Sequence, residues 1–211
     1  MRLDDVKVVN NGTFNVNVNP GRSAADRDEG GVLEIVNGTS FNVSRLILGD
    51  NSRGSKLIVS NATVNVSGDF QPNYKDLSDS NAQIHFYGDN PHLSAVNLNF
   101  YGDATYNFHI PREGYALTNA KNAVVYGDTI TRRTNACKTK PLIRITGVEG
   151  PRTRGHWTLM RVNNNSWNFL RPGTEVTQDD IECGPGIRAV VTAMTIEVYV
   201  SSQKGMTLIL R

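Results

Sequence analysis

Asn37-Gly38-Thr39-Ser40-Phe41-Asn42-Val43 recurs further along the chain as Asn61-Ala62-Thr63-Val64-Asn65-Val66. An earlier copy of the same phrase, Asn11-Gly12-Thr13-Phe14-Asn15-Val16, precedes both. The residues ahead of the last two copies agree as well, since Leu33-x-Ile35 stands over Leu57-x-Val59 at the offset that separates Asn37 from Asn61. Within each copy apolar and polar residues alternate, which is the mark of a strand with one buried face. Short strands recurring about every two dozen residues suit chain turns that stack on one another, with neighbouring turns ~4.8 Å apart and like residue over like. In that arrangement Asn11, Asn37 and Asn61 form a structural ladder, because an amide donates to the turn above, accepts from the turn below and tolerates a left-handed corner. Phe14, Phe41 and Val64 then make one inner apolar file, and Leu33 with Leu57 another.

A second phrase punctuates the chain: Leu48-Gly49-Asp50, Ser67-Gly68-Asp69, Tyr87-Gly88-Asp89, Tyr101-Gly102-Asp103 and Tyr126-Gly127-Asp128. Gly for the bend and Asp as its cap predict turns at all five. Their unequal spacing predicts that the turns of chain become irregular after Asp69, with residues 22–29 and 71–80 looping out. Beyond Pro111 the phrasing changes, but Pro141–Ile145, Trp157–Val162, Val190–Val200 and Met206–Leu210 still alternate like strands. The expected fold is therefore all-β: a single-stranded right-handed parallel β-helix over residues 1–133 and a β-rich cap over residues 134–211. A cap is required because an open last edge invites pairing with another chain.

The stretch Arg45-Leu46-Ile47-Leu48-Gly49-Asp50 through Lys56-Leu57-Ile58-Val59-Ser60-Asn61-Ala62-Thr63-Val64-Asn65-Val66 resembles the repeats of bacterial autotransporter passengers and PEP-CTERM-associated surface proteins. There an L-x-L-G turn leads into an L-x-I/V strand and then a small-residue-plus-V-x-V strand. Agreement spans about residues 33–70, and the present chain has Asn where many of those repeats have Gly-Gly. The resemblance implies a secreted or surface-exposed β-solenoid and carries over no catalytic residue.

Composition fits this reading. The 211 residues include 23 Asn and 19 Gly, with 38% hydrophobic residues. No apolar run approaches the ~20 residues of a spanning helix, so membrane insertion is not expected. The net charge of +2 conceals an asymmetry: residues 1–110 carry 8 Lys+Arg against 12 Asp+Glu, and residues 111–211 carry 14 against 8. Within 132–161, Arg132, Arg133, Lys138, Lys140, Arg144, Arg152, Arg154 and Arg161 face only Glu149, a stretch suited to polyanions. No aromatic interleaving accompanies it, so no nucleic-acid partner is expected. Cys137 and Cys183 lack metal-ligand spacing, leaving a disulfide or two thiols open. The opening Met1-Arg2-Leu3-Asp4-Asp5 carries no signal-peptide pattern, so secretion calls for a mature or excised piece.

Candidate chemistry is sparse. Asp89, Asp103 and Asp128 are candidates for a stacked carboxylate file, able to bind cations or to act as an acid/base pair on glycans. Tyr87, Tyr101 and Tyr126 are candidates for a row of sugar platforms. The histidines His85, His92, His109 and His156 lack ligand spacing and read as surface or capping residues. No nucleophile elbow or phosphate cradle occurs, and no cofactor is implied. The function expected is a non-enzymatic extracellular or cell-surface module, structural or adhesive, whose partners are extracellular polysaccharide or other surface proteins. The alternative is a carbohydrate-binding or polysaccharide-degrading β-helix protein.

Overall fold

The computed structural model describes residues 1–16, 31–49, 54–72, 81–100, 103–132, 142–147, 153–163 and 178–201. The first eight strands are β1 (Arg2–Asp4), β2 (Lys7–Val16), β3 (Val32–Val36), β4 (Ser40–Leu48), β5 (Lys56–Ser60), β6 (Thr63–Pro72), β7 (Asn81–Tyr87) and β8 (His92–Phe100). They are followed by β9 (Asp103–Ile110), β10 (Val125–Arg132), β11 (Ile143–Gly147), β12 (Gly155–Val162), β13 (Ile181–Cys183), β14 (Ile187–Val191) and β15 (Thr195–Val200). Among the described residues the one helical element is a 3-10 turn at Gln178–Asp180.

The strands divide by parity. Odd strands β1 to β13 form a seven-stranded sheet, here sheet A, and even strands β2 to β12 form sheet B, whose far end carries β15 and then β14. Every pairing from β1 to β13 is parallel, each strand lying beside the strand two places on, and the β12–β15 and β15–β14 pairings are antiparallel. Neither sheet closes on itself. Both sheets continue across residue 134, since β11 pairs with β9 and β12 with β10.

Alternation decides which residues enter the space between the sheets. In sheet A one inner file runs Leu3, Ile35, Val59, Phe86, Phe108, Ile145, Cys183, and a second runs Leu33, Leu57, Ile84, Tyr106, Ile143, Ile181. Phe86 and Phe108 stack with ring centroids 5.0 Å apart, an arrangement adding about 0.5–1.5 kcal/mol beyond area burial. In sheet B the facing file is Val8, Phe41, Val64, Leu93, Val125, Met160. Leu33 and Leu57 thus meet as the repeat requires. Phe14 does not share the file of Phe41; it pairs with Leu46 and touches Phe41 edge-on at 5.1 Å.

The shift has two physical causes. The corner leading from sheet A into sheet B is a left-handed residue, and Asp5, Asn37 and Asn61, with φ of 48°, 50° and 48°, hold equivalent places with Gly88 (φ 78°). Asn37 and Asn61 therefore hold equivalent places on neighbouring strands, but the residue at that place after β1 is Asp5, not Asn11. In addition, the even strands bend at bulges between Asn10 and Thr13, Val43 and Leu46, and Val66 and Asp69, which reset the register. Gly68 sits in one of these bends, where a Cβ would lie 2.7 Å from the Ser44 carbonyl oxygen. Asn11 falls at the bulge of β2 and leaves the predicted ladder.

Other expectations are corrected similarly. Gly68-Asp69 and Gly127-Asp128 lie inside β6 and β10 instead of in turns, whereas Gly49 and Gly88 do turn with positive φ. Gln71 and Pro72 belong to β6, while residues 22–29, 73–80 and 206–210 lie outside the described residues. The single strand expected over Val190–Val200 is a hairpin. Thr192 interrupts it by accepting the Met194 and Thr195 N–H groups on its Oγ1 at 3.2 and 2.9 Å.

Candidate functional site

Three constellations of side chains stand on the outer surfaces. On sheet A, the residues opposite Ile84, Phe86 and Phe108 in the alternation are His85, Tyr87 and His109. Tyr87 stacks on His109 at 4.0 Å and 7°, and the two imidazoles stack at 5.4 Å and 8°. His85 Nδ1 and His109 Nε2 are 3.1 Å apart, and Thr146 Oγ1 lies 2.9 Å from His109 Nδ1. A relay with Thr146 donating to His109 and His109 donating to His85 satisfies these nitrogens with both rings neutral. Desolvation, with the neighbouring His109 and Lys56 adding to it, pulls the His85 imidazole down to about 4, and burial lowers His109 as well.

On sheet B, the bends of β2, β4 and β6, with β8 beside them, form a cleft of about 340 Å³ lined by Asn10, Asn42, Ser44, Asn65, Ser67 and Ser94 together with Val9 and Val43. Among the described residues its walls carry no charged side chain. Here is the amide ladder that the repeat supplies: Asn65 Nδ2 donates to Asn42 Oδ1 at 2.8 Å, and Ser94 Oγ donates to Asn65 Oδ1 at 2.8 Å. Beside it Asn97 Nδ2 donates to Asp69 Oδ1 at 2.7 Å, and Thr129 Oγ1 donates to Asn97 Oδ1. The ladder is thus built from an asparagine inside the phrase, not from its leading Asn.

At the far end of sheet B, Arg188, Tyr199 and His156 occupy adjacent positions on β14, β15 and β12. The Tyr199 ring has His156 stacked at 4.3 Å and the Arg188 guanidinium at 4.7 Å. Glu197 Oε2 lies 3.0 Å from His156 Nε2 and accepts the Tyr199 hydroxyl at 2.9 Å, while Thr195 Oγ1 donates to Oε1 at 3.1 Å. Burial raises the Glu197 carboxyl, but the hydrogen bonds from Tyr199, His156 and Thr195 outweigh it and hold the group below the usual carboxylate range.

The residues proposed from the sequence are not brought together. Asp89 is a corner residue after sheet A, with its N–H donated to Asn61 Oδ1 at 2.7 Å. Asp128 lies in sheet B, where its Oδ1 accepts the Tyr126 hydroxyl at 2.7 Å, and Asp103 begins β9 of sheet A. The carboxylate file is corrected on this ground: its members are divided between two sheets. The Tyr row fails likewise, because Tyr87 is 37% exposed on sheet A whereas Tyr126 is 7% exposed in sheet B under the Lys121 ammonium at 4.2 Å. Tyr101 lies outside the described residues, as does Cys137, so the Cys137–Cys183 pairing has one member out of view. Cys183 ends β13 half-buried, and burial pushes its thiol up.

Of the basic stretch, Arg144 pairs with Glu182 at 3.1 Å, and Arg133, Lys138, Lys140, Glu149 and Arg152 lie outside the described residues. The histidine stack is a feature that sequence reasoning missed. Its signal is the run Ile84-x-Phe86 over Tyr106-x-Phe108, which puts His85 opposite Asn107 and leaves His109 to be reached diagonally. His92 is buried at the start of β8, with Nδ1 3.0 Å from the Ala123 carbonyl oxygen. Among the described residues no three His, Cys, Asp or Glu side chains converge as metal ligands, and no helix is long and apolar enough to cross a membrane. No family model, curated protein or solved structure matches this chain.

Proposed function

We propose that the protein is a non-enzymatic extracellular or cell-surface module whose chain winds as a right-handed parallel β-helix, each turn laying down one odd and one even strand. The observation that carries the reading is the unbroken parity of the parallel pairings from β1 to β13. Stacked turns of that kind bury a continuous core and present long, regular outer faces, which suits a structural or adhesive role. The resemblance of residues 45–66 to autotransporter and PEP-CTERM-associated repeats supports placement at the surface. The antiparallel β14–β15 pair supports a capping role for the C-terminal region, since it covers the edge of β12. The test is brief trypsin treatment of intact cells of the source organism followed by immunoblotting. Accessible yet slowly degraded protein is expected; protein released only by lysis overturns the reading.

A second reading, carbohydrate binding, is favoured by the Asn/Ser cleft on sheet B. Amide and hydroxyl groups repeating at the strand spacing are suited to the hydroxyls of an extended glycan. Binding to a neutral-glycan array that disappears in Asn65→Leu supports it, and an array with no positive spot removes it.

A further inference from the structure

The start of β12 and the adjoining ends of β14 and β15 gather positive charge around one open cavity. It measures about 780 Å³ and is lined by Arg154, His156, Arg188, Ile187, Tyr199 and Ser201, with Gly155, Gly186 and Val200 completing it. Among these lining residues are two arginines and no carboxylate. Arg154 and Arg188 are exposed, and the neighbouring acid, Glu197, stands outside the lining with its oxygens engaged by His156, Tyr199 and Thr195. The Arg188 guanidinium rests over the Tyr199 ring, a contact that orients its planar fork without using its N–H donors.

We propose that this pocket binds the carboxylate of an acidic sugar, with Arg188 and Arg154 as the cations that hold it. Planar guanidinium groups match a carboxylate in two-point hydrogen bonding. The cavity is of the size that encloses a sugar-sized ligand instead of a bare ion, and Ile187 offers a wall for its C–H surface. A nucleic acid fits less well: the Tyr199 ring already carries His156 and Arg188, leaving no free platform for a base. The ligand class extends the carbohydrate reading to a separate place on the molecule. Loss of neutral-glycan binding in Asn65→Leu and loss of acidic-sugar binding in the Arg variants are therefore independent results.

The experiment is calorimetric titration of the whole chain at low salt with a galacturonate oligomer, the same oligomer with its carboxyls reduced to alcohols, polyglutamate and duplex DNA. Binding of the galacturonate oligomer alone is expected. Arg188→Gln and Arg154→Gln should each weaken it about tenfold or more, the scale of a lost hydrogen bond to a charged group. Arg188→Lys should recover part of the loss, and Arg144→Gln, whose arginine is paired with Glu182 on the other sheet, should change nothing. Thermal unfolding of each variant verifies that the fold is kept. No galacturonate binding, equal binding of the reduced oligomer, polyglutamate or DNA, or full affinity in the Arg154/Arg188 double variant overturns the proposal.

Discussion

Asn61 shows how much one residue contributes to a corner. Its backbone takes a left-handed conformation, and its Oδ1 accepts the N–H groups of Asp89 and Asn90 at 2.7 and 3.1 Å in the next turn of chain. Asn61→Ala removes the acceptor and adds a side chain that disfavours positive φ, so a loss of about 1–2 kcal/mol is expected in urea unfolding. Asn61→Gly should cost less, because it keeps the conformational freedom and forfeits only the acceptor. Equal losses in the two variants would show that backbone handedness is not what the corner selects for. His85 gives a pH dependence of defined sign. Its folded-state value, about 4, lies below the ordinary imidazole value of 6.5, so the neutral ring favours the folded state. That contribution is complete above pH 6.5 and is lost as pH falls from 6.5 toward 4. Unfolding midpoints at pH 7 and about 4.5 should differ more for the native chain than for His85→Gln, and parallel pH profiles would contradict it.

At the scale of the strand, the inner files carry stability unequally. Phe41 is fully buried in its file between Val8 and Val64, whereas Phe14 belongs to the outermost strand of sheet B and is half-buried. Phe41→Ala should cost about 3–5 kcal/mol and Phe14→Ala clearly less, measured by the same denaturant titration. A repeat-based alignment treats the two as equivalents and predicts equal costs. The alternation of each strand was legible because a side-chain period of two reports which face is buried, whatever the partner strand is. The pairing of the first copy was not. Left-handed corners at Asp5 and Asn37 set where each even strand begins, and the bulges at Asn10–Thr13 and Val43–Leu46 then absorb the extra residues. Bulges leave no fixed mark in sequence, so Phe14 could not be told from a true equivalent of Phe41. The histidine stack was hidden for a related reason. Partner residues are 24 apart from β3 to β5 (Leu33 and Leu57), 27 from β5 to β7 (Val59 and Phe86) and 22 from β7 to β9 (Phe86 and Phe108), so no single period places His109 beside His85.

At the scale of the molecule, the two ends differ. The β2 edge presents Lys7 and a Val9 that is 61% exposed, and the opposite end of sheet B is finished by the antiparallel pair β15 and β14. Without that pair, the ladder edge of β12 is left open and the buried Leu159, Met160 and Val162 lose Ile196 and Val198 as neighbours in the shared core. A chain ending after residue 184, which keeps β13 and removes β14 and β15, should therefore associate into oligomers or aggregates on size-exclusion chromatography where the whole chain runs as one species. A monodisperse truncated chain would show that the pair is not a cap.

From the sequence alone came the all-β class, the kinship of the turns that hold Asn37 and Asn61, the inner file of Leu33 and Leu57, and the need for polar stacking on the outside. These depend on alternation and local residue chemistry, which act over short stretches of chain. The tertiary structure alone decided which amides touch, that Asp89 and Asp128 fall on a corner and in sheet B while Asp103 begins a strand of sheet A, and that His85 meets His109 while Arg188 meets Tyr199. Those contacts depend on register between strands distant in the chain, and register is set by the sum of every corner and bulge in between.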